Sequence, residues 1–521
     1  MERRLSEFFT PVIAANARVI EREGDADPLI TGLEYDSRMV KPGNLFFALS
    51  GLHTDGSFYI EDAIARGAAV IVHEKPDLKK RTDAVFIRVN NSRFAMSPIA
   101  DAFYEFPSKR ILITGVTGTE GKSTTVYLIW QLLTLMGKKA GFVSTVQRCL
   151  GQDVLWNSEH QTTPEAPVVQ KFLWEMANNG CEFAVVEASS HGLSEKNNRL
   201  GNVNFCSAVL TNLTHEHLEF HGTWEQYRYD KANLFRALDK FTQVNPASGF
   251  EPFGVINADD KSFRFFSEAT KRENLSFSAA GKDADIIVRA IESETNGNRY
   301  RLFVPAYNEQ LEIMDKLPGA FNCGNVMAAL LIVSGLLKLP VREIARFVNK
   351  LKPVRGRMTA INKGQPFEVV VDYAHTPSSF EAIFPPLRSR LDKTGGRIIS
   401  LFGSAGERDT QKRSEQGNIA ALYSDFIIVT DEDPRGENPM DILEEIAGGV
   451  EKAGRNFICN ENLFLIPDRP AAIRKALGLA CPGDLVLLLG KGHENSIIYK
   501  DHVMPFDEIS ETEKALDNNL Y

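Results

Sequence analysis

The feature that most constrains the fold of this chain is an apolar run followed directly by a glycine-rich loop and a helical pattern. The segment ITGVTGTEGKSTT covers residues 113–125. The apolar run Ile111–Ile113 is typical of a buried parallel strand. After the loop, apolar residues recur at helical spacing, namely Val126, Ile129, Leu132, Leu133 and Met136. Gly137 stands where a C-terminal helix cap is expected, so the segment predicts the strand–loop–helix context of a phosphate site.

The glycine spacing of this loop departs from the commonest phosphate-binding form. G-x-x-x-x-G-K-[ST] would place a glycine at position 116, where this chain has Val116. Glycines still allow successive N–H groups to point at phosphate oxygens, at the positive end of a helix dipole. Lys122 can neutralise phosphate charge, and Ser123 or Thr124 can ligate magnesium. A flexible turn before a helix is the alternative, but it gives Lys122 little structural purpose, so we predict phosphoryl chemistry.

Chain length and patterning indicate an α/β protein of about three domains. We expect the domains at residues 1–108, 109–352 and 353–521 of the 521-residue chain. The first contains the short strands NLFFAL and AAVIVHE, and the second contains a central P-loop ATPase-like parallel sheet around the glycine loop. In the third, the apolar runs EVVVDY, RIISLFG, DFIIVTD and DLVLLLG alternate with helical segments. That alternation predicts a Rossmann-like, doubly wound domain.

Composition excludes several other classes of protein. The net charge of −9 argues against a nucleic-acid-binding surface, which is normally basic. Neither a signal peptide nor an apolar stretch of about 18 residues is found, so we expect no membrane insertion. The 6 cysteines include no C-x-x-C pair and are interpreted as reduced, mostly buried thiols. We therefore expect a soluble cytoplasmic protein, and a monomer.

Further motifs occur in a fixed order along nearly the whole chain. They are DSRMVKPGNLFFAL, QTTPE, VVEASSHGL, TNLTHEHLEFHG, YDKANLF, VINADD, FNCGNVMAA, RGRM, VDYAHTP, GERDTQKR, DEDPRGENP and GKGHE. Together they resemble the Mur ligases, most closely the MurE type, which are UDP-N-acetylmuramoyl-tripeptide synthetases of bacterial peptidoglycan synthesis. The shorter loop, G-T-x-G-K-[ST]-[ST], is the form that this family uses.

The resemblance implies an ATP-dependent amide ligase with ATP and Mg²⁺ as cofactors. Its substrates would be UDP-N-acetylmuramoyl-L-Ala-D-Glu and a diamino acid: lysine, ornithine or meso-diaminopimelate. ATP would phosphorylate the γ-carboxylate of the D-glutamyl residue, and the amine would attack the resulting acyl phosphate. Such a path needs an ATP cradle, magnesium among clustered anions and positive groups for developing charge.

The resemblance also implies roles for individual residues. The ATP-binding residues would be Gly118, Thr119, Glu120, Gly121, Lys122, Ser123, Thr124, Asn325, Arg357 and Asp372. Magnesium would be held by Ser123, Glu187, His217 and a carbamylated Lys231. The UDP precursor would be bound by Ser37, Thr162, Thr163, Ser189 and Arg199. The amino acid would be bound by Arg413, Asp433, Arg435, Gly490 and Glu494. Lys122, Lys231 and His217 are the implied catalytic residues.

Simpler interpretations remain for some of these residues. Lys231 could be a solvated helix charge, and Asn325 could cap a helix. Arg357 could form a surface salt bridge, Ser37 could be a turn serine, and the segment around Arg199 is spaced differently from the family pattern.

The histidine-rich segment leaves zinc as an alternative metal. His215, His217 and His221 lie close together in sequence, but no cysteine is near and ATP chemistry favours a hard cation. His215 replaces the basic residue usual in the family, so its role stays open.

Two other functions are weighed against a MurE-type ligase. Folylpolyglutamate synthetase shares the central and C-terminal domains but lacks the N-terminal DSR…PGNLFFAL section. A non-catalytic nucleotide-binding regulator would not need to retain Lys122, Glu187, His217 and Lys231 together.

Amino-acid selection is the point at which this sequence departs from its family. MurE enzymes that use meso-diaminopimelate usually carry Asp-Asn-Pro-Arg, and this chain has Glu432–Arg435 there, reading EDPR. Arg435 could pair with a distal carboxylate, whereas the added charge of Asp433 would favour a distal ammonium. The sequence therefore favours lysine or ornithine slightly over diaminopimelate. The bland alternative is an acidic turn after a strand.

Overall fold

The computed structural model describes residues 1–50, 55–76, 78, 83–157, 161–214, 218–244, 249–294 and 297–518. The chain divides into two compact units. The first unit comprises Met1–Val288, Phe303–Glu309 and Gly324–Phe347, and the second comprises Arg289–Leu302, Gln310–Cys323 and Val348–Tyr521. The expected boundaries after residues 108 and 352 remain predictions. No helix among these described residues is long and apolar enough to cross a membrane.

The first unit begins with a five-stranded sheet in the order β2-β7-β6-β5-β4. Its elements are β1 (Arg3–Arg4), α1 (Leu5–Phe8), α2 (Pro11–Asn16), β2 (Val19–Glu23), β3 (Leu29–Ile30), β4 (Gly32–Glu34), β5 (Asn44–Phe47), α3 (Ile60–Ala65), β6 (Val70–His73), β7 (Val85–Val89) and α4 (Ser92–Phe103). Alternate residues of β5 face opposite sides, because Leu45 packs with Ile99 of α4 whereas Phe46 packs with Ala63 of α3. The predicted strands in NLFFAL and AAVIVHE are confirmed.

A second sheet contains β8, the strand that leads into the glycine loop. The elements from residue 112 to 345 are β8 (Leu112–Thr117), α5 (Lys122–Leu135), β9 (Ala140–Val143), β10 (Gln147–Cys149), β11 (Val154–Trp156), α6 (Ala166–Asn178), β12 (Phe183–Glu187), α7 (Ser190–Leu193), β13 (Phe205–Leu210), α8 (Leu218–His221), α9 (Trp224–Leu238), β14 (Phe253–Asn257), α10 (Phe263–Ser267), β15 (Glu273–Ser278), β16 (Ile286–Glu294), β17 (Gly297–Val304), β18 (Glu309–Asp315), α11 (Asn322–Leu337) and α12 (Val341–Ala345). Within the first unit the order runs β11-β10-β9-β12-β8-β13-β14-β15. Strands β9, β12, β8, β13, β14 and β15 are parallel. The predicted strand, loop and helix are confirmed as β8, the loop and α5.

The second unit contains a six-stranded sheet in the order β19-β20-β24-β21-β22-β23. Its elements from residue 359 onward are β19 (Thr359–Ile361), β20 (Glu368–Asp372), α13 (Pro377–Leu391), β21 (Ile398–Phe402), α14 (Gln411–Tyr423), β22 (Phe426–Val429), α15 (Pro439–Lys452), β23 (Leu463–Leu465), α16 (Arg469–Leu479), β24 (Leu485–Leu489), β25 (Ser496–Ile498), β26 (Val503–Pro505) and α17 (Glu508–Asp517). Within this sheet, β19 is antiparallel to β20, and all the other neighbouring strands are parallel.

Helices cover both faces of this six-stranded sheet. Leu487 of β24 packs with Phe384 of α13 and Ile446 of α15, in one apolar core. Its neighbour Leu488 packs with Ile473 of α16 in the other core. A strand buried on both faces reads as a continuous apolar run, which is why DLVLLLG identifies β24. The predicted α/β architecture with parallel sheets is confirmed.

Side-chain caps fix where many of the helices begin. Asn91, Thr223, Thr376 and Asp507 each accept a hydrogen bond from a backbone N–H in the first turn of the following helix. Helix α5 differs because Gly121 occupies its N-cap, and glycine has no side chain to accept those N–H groups. The first turn of α5 is therefore left for another acceptor.

Candidate active site

Two glycines of the loop have backbone conformations that other residues adopt rarely. Gly118 has φ +148° and Gly121 has φ +80°. A Cβ on Gly118 would lie 1.9 Å from Oγ1 of Thr211, and one on Gly121 would lie 2.6 Å from Oδ1 of Asn325. Both positions therefore require glycine for conformation and for space.

The loop is held in place by the segment that follows β13. The backbone N–H of Thr119 donates to the carbonyl of Asn212 at 2.9 Å, and that of Glu120 donates to Oδ1 of Asn212 at 2.9 Å. The hydroxyl of Thr211 donates to the carbonyl of Glu120 at 2.6 Å. These contacts leave the first-turn N–H groups of α5 as the anion-binding end of the loop.

Lys122 is the first residue of α5 and lies over the loop. Its Nζ donates to the carbonyl of Thr119 at 2.7 Å. The residue is half-buried, and its ammonium lies at the loop whose N–H groups would cradle a phosphate. Thr124, one residue beyond Ser123, is also half-buried in this turn.

Glu187 and Ser123 form a buried oxygen pair beside the loop. Glu187 ends β12, next to β8, and its Oε2 accepts from Oγ of Ser123 and from the backbone N–H of Thr145, both at 2.8 Å. Carboxylate and hydroxyl oxygens are ligands that suit Mg²⁺. The donor set present therefore fits magnesium. His217, the third implied ligand, and His215 lie outside the described residues.

Lys231 also lies beside the glycine loop, although it is 113 residues away in sequence from Gly118, its hydrogen-bond partner. Its side chain is 2% exposed, its Nζ donates to the carbonyl of Gly118 at 2.5 Å, and it lies 4.7 Å from the ring centroid of Tyr227. The hydroxyl of Tyr227 is in turn 3.0 Å from Oγ1 of Thr119. The interpretation of Lys231 as a solvated helix charge is therefore wrong.

A second polar pair, which was not recognised from the sequence, joins the end of α8 to α9. Nδ1 of His221 is 2.7 Å from Oδ2 of Asp230, and Nε2 of Gln226 donates to the other oxygen of Asp230 at 3.0 Å. The available signal was the spacing of Tyr227, Asp230 and Lys231, which places them on one face of a helix.

The residues implied to bind the muramoyl peptide adjoin Glu187. Oγ1 of Thr163 donates to the carbonyl of Glu187 and accepts from the N–H of Ser189, both at 2.9 Å. Arg199 donates to the carbonyl of Thr163 at 2.9 Å and to Oε1 of Glu165 at 2.8 Å. The structure thus brings Thr163, Ser189 and Arg199 together.

Three other implied ligands, Thr162, Ser37 and Asn325, also belong to the first unit. Thr162 is half-buried beside Thr163, and Ser37 begins a short turn after β4. Asn325, in the first turns of α11, accepts a hydrogen bond from Oγ1 of Thr125 at 3.1 Å, so it is tied to α5.

In the second unit, Asp372 and Arg357 stand at the end of β20. The two carboxylate oxygens of Asp372 accept from the N–H groups of Met358 and Ala374 at 2.6 and 2.7 Å. Burial raises the pKa of Asp372, and nearby Arg357 opposes that rise. The Arg357 guanidinium lies 4.6 Å from the ring centroid of Tyr373, so a stacked contact is observed for this arginine.

The carboxylate of Asp433 is already paired within the chain. Oδ1 accepts from Nζ of Lys491 and from the N–H of Ile498, both at 2.9 Å, and Lys491 also pairs with Glu494 at 2.5 Å. Burial alone would lower the pKa of Lys491, but Glu494 and Asp433 raise it above its ordinary value. Asp433 therefore presents no isolated negative charge, but Lys491 is shared between the carboxylates of Asp433 and Glu494. The amino-acid selection argued from the sequence stays a prediction.

Glu432, beside Asp433, is a second buried carboxylate of this region. Its side chain is 7% exposed, and its Oε2 is buried with no hydrogen-bond partner among the described residues. That oxygen would lie 3.0 Å from a Cβ at Gly490, so the glycine permits its close approach. Sequence analysis took Glu432 only as part of a motif.

The two arginines implied to bind the amino acid differ in how many partners their side chains have within the described chain. Arg413 is buried and pairs with Glu437 and Glu445 at 2.9 Å each. Arg435 has φ +55°, its N–H donates to the carbonyl of Ile498 at 2.9 Å, and its buried Nε has no partner within the described chain. Arg435 is thus freer than Arg413 to meet a ligand carboxylate.

Comparison with known proteins decides the family. The Mur ligase family catalytic domain matches residues 29–104, the Mur ligase middle domain matches 116–333, and the Mur ligase glutamate ligase domain matches 356–492. The UDP-N-acetylmuramyl-tripeptide synthetase of Treponema denticola is 49% identical over 518 residues, which is 96% of each chain. The protein of the same name from Treponema pallidum is 47% identical and covers 95% of each chain. The chain belongs to the Mur ligase family.

The fold agrees with this membership. A solved structure of a UDP-N-acetylmuramoyl-L-alanyl-D-glutamate–2,6-diaminopimelate ligase matches with a TM-score of 0.60 and 27% identity, over 96% of this chain and 98% of the other. In this Mur ligase, the loop, Lys231 and the pair Ser123–Glu187 form one cluster in the first unit. Asp433, Lys491 and Glu494 form another in the second unit.

Proposed function

We propose that this Mur ligase adds a diamino acid to UDP-N-acetylmuramoyl-L-Ala-D-Glu in peptidoglycan synthesis, with ATP as the energy source. The observation that carries the proposal is the convergence of Lys122, Lys231 and the Ser123–Glu187 pair on one glycine loop. Near full-length similarity to tripeptide synthetases supports the choice of substrate class.

The chemistry proceeds in two transfers. An oxygen of the D-glutamyl γ-carboxylate attacks the γ-phosphorus of ATP, the bond to the β-phosphate oxygen breaks, and ADP leaves. The amine then attacks the acyl carbon, and the tetrahedral intermediate expels phosphate and loses a proton to give the amide. The N–H groups of α5 and the ammonium of Lys122 would hold the phosphates during the first transfer.

Ser123 and Glu187 would hold magnesium, together with His217 and the carbamate of Lys231. The ion, when bound, would supply positive charge that offsets the negative charge of the phosphate and carboxylate groups. For Lys231, carbon dioxide would add to the neutral amine and release a proton, converting a buried cation into an oxygen donor. The burial of Lys231 beside the carbonyl of Gly118 supports this role, because a carbamate on that side chain would lie close to the loop.

The remaining groups would bind the other substrate parts. Residues 1–108, with Ser37, would bind the UDP end, and residues 109–352 would bind ATP and the peptide. Residues 353–521 would bind the amino acid, with Arg435 as the partner of a carboxylate and Glu494 among the polar contacts.

Phosphate release by the purified protein tests this function. We expect release only when ATP, magnesium, the UDP-linked dipeptide and a diamino acid are all present, with one amide formed per phosphate. Lys122→Ala should lower turnover at least about a hundredfold, and Lys139→Ala, an exposed lysine beyond α5, should not. Activity with folyl glutamates, or ATP binding without any turnover, would refute the proposal.

A further inference from the structure

Tyr373 touches two functional regions of the second unit at once. Its ring lies under the guanidinium of Arg357, 4.6 Å from ring centroid to Cζ. Its hydroxyl donates to Oε1 of Glu494 at 3.4 Å. The rings of His375 and His493 each lie 4.6 Å from the Tyr373 ring, so the ring is enclosed by aromatic neighbours.

The contact with Glu494 continues into the amino-acid cluster. Glu494 pairs with Lys491 at 2.5 Å, and Lys491 pairs with Asp433 at 2.9 Å. The side chain of Lys491 is 1% exposed, so this pairing is shielded from water and sensitive to small displacements. A continuous line of contacts therefore joins Arg357 to Asp433 through Tyr373.

We propose that Tyr373 is a positioning residue that couples the ATP-side arginine, Arg357, to the amino-acid-side carboxylate, Glu494. The inference rests on the proposed function, which assigns Glu494 to the amino acid, and on the role in ATP binding that the family resemblance implies for Arg357. The tyrosine itself need not touch either substrate. Its ring sets the height of the guanidinium by cation–π stacking, and its hydroxyl sets the orientation of the carboxylate.

The two contacts use different parts of the side chain, so they are separable by mutation. Tyr373→Phe keeps the ring under Arg357 and removes only the hydrogen bond to Glu494. Tyr373→Leu removes both contacts. Tyr423→Phe is the matched control, because Tyr423 belongs to the same unit but its ring stacks on that of Phe384.

Steady-state kinetics with each substrate varied in turn is the decisive measurement. Tyr373→Phe should raise KM for the diamino acid about tenfold and change KM for ATP less than about twofold. Tyr373→Leu should raise both about tenfold or more. The control variant should match the natural protein, and the melting temperature of Tyr373→Phe should stay within about 2 °C of it.

A double-mutant cycle tests whether Tyr373 acts through Glu494. In the Glu494→Gln background, Tyr373→Phe should cause less than about a twofold further change. Additive losses, or an equal rise of both KM values in Tyr373→Phe, would overturn the inference. A natural protein that shows no ligase turnover would instead refute the proposed function, so the two failures are distinguishable.

Discussion

At the scale of single residues, Lys231 makes the most specific chemical prediction. Its amine is buried and bonded to the loop carbonyl of Gly118. Lys231→Ala should reduce turnover at least about a hundredfold, because magnesium loses an oxygen ligand. The circular dichroism spectrum should stay unchanged. Short carboxylic acids should restore part of the activity. Lys240→Ala, an exposed residue just after α9, serves as the control.

Carbon-13 NMR of protein equilibrated with labelled bicarbonate gives an independent readout of that prediction. A carbamate resonance should be present in the natural protein and absent in Lys231→Ala. Full activity of a protein whose Lys231 carries a free amine would contradict the carbamate.

The second residue-scale prediction concerns amino-acid selection. Oε2 of Glu432 is buried without a hydrogen-bond partner among the described residues, whereas Asp433 is hydrogen-bonded to Lys491. Glu432→Gln should lower kcat/KM for lysine and ornithine about tenfold or more relative to meso-diaminopimelate, because a distal ammonium loses its carboxylate partner. Asp433→Asn should change that ratio less. A ratio moved only by Asp433→Asn would return selection to residue 433.

At the scale of elements, the glycine loop between β8 and α5 offers a matched pair of substitutions. Gly118→Ala would place a Cβ 1.9 Å from Thr211, whereas a Cβ at Gly137, which has φ +76°, meets no atom within 4 Å. Both changes strain the backbone, and a strained residue costs about 1 kcal/mol. We expect Gly118→Ala to abolish ATP binding measured by calorimetry, and Gly137→Ala to lower stability only. Normal ATP affinity in Gly118→Ala would show that the loop does not cradle phosphate.

The same scale shows why elements were predicted from sequence and contacts were not. Strand β24 and helix α5 can be recognised from their local apolar patterns, which depend only on residues that are close in sequence. The partners of Asp433 and Tyr373 are 58 and 121 residues away, so no local pattern reveals them. The resemblance named Asp433 and Glu494 but not Lys491, the cation that joins them. The sequence therefore supplied the candidate residues, and the tertiary structure supplied their contacts.

At the scale of the whole molecule, a buried carboxyl predicts how stability depends on pH. Burial of Asp101 in α4 raises its pKa to about 7, with Lys109 and Asn202 opposing the rise. Between the unfolded pKa of about 4 and the folded value, the folded chain binds more protons, so stability falls as pH rises through that window. Asp101→Asn should stabilise the first unit at pH 8 by on the order of 3 kcal/mol and flatten the dependence.

Thermal unfolding at pH 5 and pH 8 measures this effect. Asp153→Asn is the control, because that carboxyl is exposed. Equal destabilisation by Asp101→Asn at both pH values would mean that the side chain is needed as a charged hydrogen-bond partner instead.

The strand order of the first unit also has a consequence for folding during synthesis on the ribosome. Strand β8 ends at residue 117, but its neighbours β12 and β13 are made later, and β13 ends at residue 210. At about 5–20 residues per second, the apolar strand waits roughly 5 to 20 seconds for partners. The loop waits longer still, because Thr211 and Asn212 hold it. A nascent chain released before residue 212 would carry the complete nucleotide motif and yet lack the support that shapes it, so chaperone binding should peak in this interval of synthesis.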